Sequence, residues 1–294
     1  MESSSMIMVV PEAKKEAGIS IFWRRLRKNK LAVIGLFVII LLILIAAFAP
    51  LIAPYGYAEQ DLLNTFAPSS REHILGTDDL GRDELSRLIY GTRQSLQIGV
   101  FSVAIGMFIG TILGTIAGFY GGRADMLLMR FLDIYQSIPG LLLSIALATS
   151  LGPGLENAII AIGVGTMSVY ARIIRASLLR VRSMEFIEAA RAINANDFRI
   201  IIKHALPNAI APLLITITMS IGQSILSASM LSFIGLGAQP PTAEWGAMLT
   251  AGKDFMRTHG SLITYPGIAM LITVLSFNLL GDGLRDALDP RLKN

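Results

Sequence analysis

LAVIGLFVIILLILIAAFAPLIA, residues 31–53, runs for 23 positions without a charged side chain. A hydrocarbon core roughly 30 Å thick is crossed by about 20 apolar residues at 1.5 Å rise each. This stretch meets that requirement by itself. Composition agrees: 53% of the 294 residues are hydrophobic and 16% charged, against about 25% charged in soluble domains. The fold class read from this is all-α, a polytopic membrane protein. Trp23-Arg24-Arg25-Leu26-Arg27-Lys28 and Ala47-Phe48-Ala49 have the pattern of a cleavable leader. The apolar run exceeds the roughly 7–15 residues of such a leader, and Pro50 follows the would-be site, so an uncleaved first span is expected.

Working outward, six spans are predicted: Leu31–Ala53, Ser95–Phe119, Leu127–Leu151, Leu155–Ile174, Ala209–Phe233 and Leu262–Leu280. Lys and Arg concentrate in cytoplasmic loops. With the N-terminus inside, only Arg71, Arg82, Arg87, Arg93, Lys253 and Arg257 of the 25 basic residues fall outside. Lys14, Lys15, Arg291 and Lys293 are among those inside. The expected organisation is a cytoplasmic basic segment at 1–30, the first span at 31–53, and an extracytoplasmic segment at 54–94. A five-helix core at 95–283 follows, with a cytoplasmic loop at 172–208, and then a cytoplasmic tail at 284–294. Within the outer segment, Asp83 to Arg93 reads as a helix entering the second span, with Leu85, Leu88 and Ile89 at helical spacing. Asp78, Asp79, Asp83 and Glu84 do not fit the EF-hand spacing and read as helix-capping charge.

Gly106, Gly110, Gly114 and Gly118 recur every four residues and line one helix face. They predict a close helix contact, either a sliding, pore-side seam or static packing. Arg130 and Asp133 stand three apart on the third span and are expected to pair there, as a structural or a gating pair, with Pro139 kinking the helix after them.

Catalytic motifs are missing. His73, His204 and His259 form no H-E-x-x-H, and there is no G-x-S-x-G and no cysteine. G-x-x-x-x-G-K-[ST] is absent, so no P-loop binds ATP here. No ladder of carboxylates crosses the spans, which disfavours a proton-coupled secondary carrier. An intramembrane enzyme would need a catalytic pair at membrane depth, and none is present. No catalytic residue, metal site, cofactor or nucleic-acid partner is expected of this chain.

The segment Arg172–Asn208 is basic and organised. Phe186, Ala189, Ala190 and Ile193 form one apolar stripe on a short helix, Glu185 lies in its first turn, and Asn194 interrupts it where a left-handed residue is tolerated. A second helix restarts at Asn196-Asp197 and ends near Pro207. From the residues alone, this element either lies on lipid or fills a groove on a partner protein.

Glu188-Ala189-Ala190, the turn residue 194 and Leu206-Pro207 match in spacing the EAA loop of ABC importer permeases, E-A-A-x3-G-x9-I-x-L-P. Asn194 stands at the usual glycine and His204 at the usual isoleucine. Leu75 to Asp83, Gly235 to Pro241 with Glu244-Trp245-Gly246, and Phe277 to Asp286 with Asp289-Pro290 resemble the C-type permeases of the dipeptide, oligopeptide and nickel group. The resemblance covers nearly the whole chain. It implies a type I importer permease whose ATP and Mg are bound by two separate ATPase subunits. It also implies a B-type permease partner in a heterodimer, an extracytoplasmic solute-binding protein, and a bacterial inner-membrane location in the lipid bilayer with both termini cytoplasmic. It implies a dipeptide or short-oligopeptide substrate, with glutathione or a nickel complex as alternatives. The loop residues Phe186, Glu188, Ala189, Ala190, Ile193, Asn194, Leu206 and Pro207 would then receive ATP-driven motion in an ATPase groove.

Overall fold

The structure, a computed structural model, describes residues 18–288. Positions 14, 15, 291 and 293 and the Asp289-Pro290 pair lie outside the described residues. Helix α1 (Gly18–Lys28) ends at Asn29, whose extended backbone turns the chain and whose Oδ1 accepts the Ala32 amide at 3.1 Å. That N-cap starts α2 (Lys30–Ile52), the predicted first span.

Asp83 caps α3 (Glu84–Tyr120), accepting the Ser86 amide at 2.8 Å and its hydroxyl at 2.7 Å. The predicted outer helix and second span are one helix of 37 residues, about 55 Å long. It overshoots a hydrocarbon core, and its first turns belong to the far side of the membrane.

The predicted third span, 127–151, is not one helix. It consists of α4 (Gly122–Gln136) and α5 (Gly140–Leu151), bent by 84°. Pro139 lacks an amide hydrogen and pushes its predecessor out of the helical region, so the expected kink is a full break. Helix α6 (Leu155–Val181) runs seven residues past the predicted end at Ile174. Arg172 and Arg175, expected in a loop, are therefore helical.

Five helices are long and apolar enough to cross alone, and the bent pair makes a sixth if it is one span. The glycine face of α3 decides this. Gly106, Gly110, Gly114 and Gly118 stand against Gly163, Met167, Ala171 and Arg175 of α6. Both partners advance by four at each step, so α3 and α6 run parallel. Two parallel spans need one return crossing between them, and α4–α5 is the only chain joining them. The described residues thus hold six spans.

The remaining elements are α7 (Glu185–Ala192), α8 (Asp197–Ile200), a π-helical turn (Ile201–Ala205), α9 (Leu206–Ala209), α10 (Ala211–Phe233), α11 (Trp245–Gly252), a 3-10 turn (Lys253–Phe255) and α12 (Ser261–Leu288). Helix α12 packs antiparallel on α2, with Gly35 against Ser276 and Gly283 against Ala32. The start of α2, the α3–α4 junction, residues 182–210 and the end of α12 therefore share one side, termed here the basic face. Residues 53–83 and 234–260 share the far face.

Buried polar residues organise the far face. Asp78 pairs with Arg82 at 2.6 Å and with Arg87 at 3.4 Å. Arg87 donates to the Tyr57 carbonyl at 2.9 Å, which ties the irregular segment to the first turn of α3. Glu244, fully buried, accepts from Ser95 and Ser232 hydroxyls at 3.1 and 3.0 Å and from the Gly246 and Ala247 amides at 2.8 Å. One carboxylate thereby joins α3, α10 and α11. The Glu244-Trp245-Gly246 motif marks this junction: a Cβ at Gly246 would stand 2.5 Å from Ser229 Cα.

Candidate functional site

The basic-face segment is built around a helix with two apolar sides. On α7, Ile187 is completely buried and Ala190 nearly so. Both join a cluster with Phe119 of α3, Leu178 and Val181 of α6, Ile200 and Ile201, Ala205, Ala209, and Leu213 of α10. Phe186, Glu188, Ala189 and Ile193 lie on the exposed side, Ile193 at 79% exposure. The stripe read from the sequence is therefore split. Ala190 does not belong to the free surface, and Ile187, which the sequence reading passed over, anchors the buried side. A helix carrying apolar residues on both flanks, one buried and one exposed, shows a stripe too wide to assign from spacing alone.

Asn194 has φ +57°, the left-handed conformation expected of it. The Ala195 amide donates to the Ala190 carbonyl at 3.1 Å and the Asn194 amide to Arg191 at 2.8 Å, closing the helix end. Asn196 Oδ1 then caps α8, accepting the Arg199 amide at 2.8 Å. The next turn widens to π geometry through His204, whose carbonyl accepts from Asn208 Nδ2 at 2.7 Å. Leu206 is half-buried and Pro207 exposed at the start of α9. Phe198, 74% exposed, and Ile202 extend the free apolar surface begun by Met184, Phe186 and Ile193. The carboxylate of Glu188 has no hydrogen bond among the described residues. The loop thus presents apolar side chains and an open carboxylate outward. Its buried side belongs to one apolar cluster with residues of α3, α6 and α10.

The expected Arg130–Asp133 pair does not form. Arg130 is exposed, and Asp133 accepts from Arg172 Nη2 of α6 at 2.8 Å. A second, more buried ion pair lies nearer the basic face: Arg175 holds Asp125 through Nε and Nη2, the latter at 2.6 Å. Spacing along α4 suggested the local partner; the antiparallel α6 alongside brings a better-placed guanidinium. The Tyr135 hydroxyl donates to the Val164 carbonyl at 2.7 Å, completing the α4–α6 seam. At the α4–α5 break, Tyr135, Gln136, Pro139, Gly140, Gly165 and Thr166 surround a cleft of about 310 Å³.

The four glycines sit in the α3–α6 contact. A methyl at Gly106 would stand 2.7 Å from the Gly163 carbonyl, and one at Gly118 2.9 Å from Leu178 Cβ. At Gly110 and Gly114 the facing carbonyls of Met167 and Ala171 are nearer still.

A family model described as a binding-protein-dependent transport system inner membrane component matches residues 110–294. A second, the N-terminal TM domain of oligopeptide transport permease C, matches residues 19–68. The chain is similar to the dipeptide transport system permease protein DppC of Alkalihalophilus pseudofirmus, at 46% identity over 272 residues, 92% of this chain and 90% of that one. It is similar also to the glutathione transport system permease protein GsiD of Pectobacterium atrosepticum, at 45% over 276 residues, 93% and 91% of the two chains. Among solved structures, an inward-facing form of the MetNI methionine ABC transporter aligns with TM-score 0.56 and 22% identity, over 69% of this chain and 97% of that one. That likeness concerns the fold.

Proposed function

The chain belongs to the family of binding-protein-dependent transport system inner membrane components, and on that premise we propose that it is one permease subunit of an ATP-driven importer of dipeptides. As a multi-pass ABC importer permease it works with ATPase and substrate-binding partners. In this reading it forms half of the path with a B-type permease. Two separate ATPase subunits bind ATP and Mg, and this chain holds no cofactor.

The basic face is cytoplasmic in this reading, so the N-terminal segment, residues 182–210 and the tail lie inside. The Lys/Arg distribution supports it. The far-face segments 53–83 and 234–260 then meet the binding protein.

One observation carries the coupling role: Ile187 and Ala190 of α7 sit in one apolar cluster with residues of α3, α6 and α10, while the other flank of α7 stays open. The free surface of Phe186, Ala189, Ile193 and Phe198 would fill an ATPase groove. Glu188 would orient it through charge-assisted hydrogen bonds. The dipeptide substrate is supported by the DppC relative.

The test is uptake of labelled dipeptide by vesicles holding the full complex and binding protein. Uptake should need ATP hydrolysis, vanish when any one subunit is omitted, and compete with unlabelled dipeptide better than with glutathione, longer peptides or nickel. Uptake without ATP would overturn the importer reading, and preferential competition by glutathione or nickel would overturn the substrate. A reporter near Asn64 found in the cytoplasm would overturn the orientation.

A further inference from the structure

We propose that one flank of α4 and the α4–α5 break form a water-filled wall of the solute path, running from the basic face to the middle of the membrane. Arg130, Asp133, Gln136 and Ser137 are all exposed. They follow one another at helical spacing, so they share one side of α4. Arg172 of α6 widens that side through its ion pair with Asp133, the two side chains being 41% and 50% exposed. Leu127, Phe131 and Ile134 occupy the adjoining side and are exposed as well. Helix α4 therefore shows one polar and one apolar flank to its surroundings. The apolar flank suits lipid. Charged and strongly polar side chains within a span face protein or a water-filled cavity instead.

The backbone at the break points the same way. Residues 136–140 are all exposed. The amides of Ile138, Leu141 and Leu142 and the carbonyls of Ser137 and Ile138 meet no hydrogen-bond partner among the described residues. Gly140 lies beside Gly165 of α6. Gly165 is ten residues from the far-face end of that helix at Leu155, about 15 Å at 1.5 Å per residue. That is roughly half of a hydrocarbon core of about 30 Å. Open backbone groups at this depth are tolerated only against protein or water.

Water is the better occupant. The break surrounds a cleft of about 310 Å³, with Tyr135, Gln136 and Thr166 on its wall, which is polar and roomy enough for several waters. Where spans of this chain pack closely, at α3 and α6, glycines bring the backbones together and leave no such space. The polar flank of α4 leads from the basic face into this cleft. That the water there is the route of the solute rests on the importer reading above.

The chain has no cysteine, so one introduced thiol reports one position. Ser137→Cys and Ile134→Cys are compared in the complete importer in nanodiscs, using a charged, membrane-impermeant methanethiosulfonate and reading the label on this subunit by mass. Only the thiolate reacts, and hydrocarbon suppresses its formation by about a hundredfold or more. Ser137→Cys should therefore react at least about a hundredfold faster than Ile134→Cys, and Gln136→Cys should follow Ser137→Cys. The modified Ser137→Cys complex should lose dipeptide uptake, while the parent complex treated alike keeps it. Equal rates on the two flanks would overturn the proposal. So would an unreactive thiol at both 136 and 137, whether lipid or the partner permease covers them, and so would normal uptake by the fully modified complex. The labelling rates need no transport assay, so their failure and the failure of the importer reading are separable.

Discussion

Ile187 and Ile193 offer a matched pair: the same side chain, on and just after one short helix, with 0% and 79% exposure. Truncating Ile187 to Ala empties space in the cluster formed by Phe119, Leu178, Val181, Ile201 and Leu213. Such truncations cost about 2–5 kcal/mol, and here the loss falls on the anchorage of α7. Ile193→Ala removes almost no contact within the chain, so its effect on the permease should stay within about 0.5 kcal/mol. If Ile193 enters a partner groove, it buries on the order of 100 Å² there. At about 25 cal/mol per Å², that is ~2.5 kcal/mol, or roughly a 70-fold loss in ATPase affinity. Two assays separate the pair: thermal unfolding of the permease without its ATPases, and titration of ATPase subunits onto reconstituted permease. Ile187→Ala should lower the first markedly, and Ile193→Ala should change only the second. Identical behaviour of the two variants in both assays would refute the two-sided reading of α7.

Three further outcomes are expected. Gly110→Leu should impair assembly and uptake, because a Cβ there meets the Met167 carbonyl and stands 2.7 Å from Tyr170 Cβ, forcing α3 and α6 apart; unchanged complex yield would remove the close-packing argument. Glu244→Ala should destabilise the complex by about 3–5 kcal/mol, since it leaves four donors, three of them buried, without their acceptor, with Glu244→Gln falling between it and the parent in a thermal melt. Asp125→Arg should lower yield and uptake by leaving Arg175 facing a like charge, and the swap Asp125→Arg with Arg175→Asp should restore part of both; no rescue would mean that the pair does not hold α4 to α6.

Much of this was legible along the chain. The first span, the number of crossings, the capping role of Asp83 and the left-handed turn at Asn194 each follow from local rules: apolar length, an acceptor side chain before a helix, and a residue tolerant of positive φ. The organised loop after α6 was legible because its motif lies within one short stretch. The Arg130–Asp133 pairing failed for the opposite reason. Spacing on α4 shows which side chains are neighbours on that helix, but not that α6 presents Arg172 and Arg175 to its acids. Glu244 gave no sign that Ser95 and Ser232, from distant parts of the chain, would enclose it.

The chain by itself determined that this is a six-span membrane protein with a basic face and an organised loop, because apolar length and charge placement act locally. Only the tertiary structure decided that α3 and α6 run parallel through a four-glycine contact, which makes the broken α4–α5 pair a crossing. It alone decided which side of α7 is anchor and which is free, since burial belongs to the neighbours that fold against a helix and not to the helix's own periodicity.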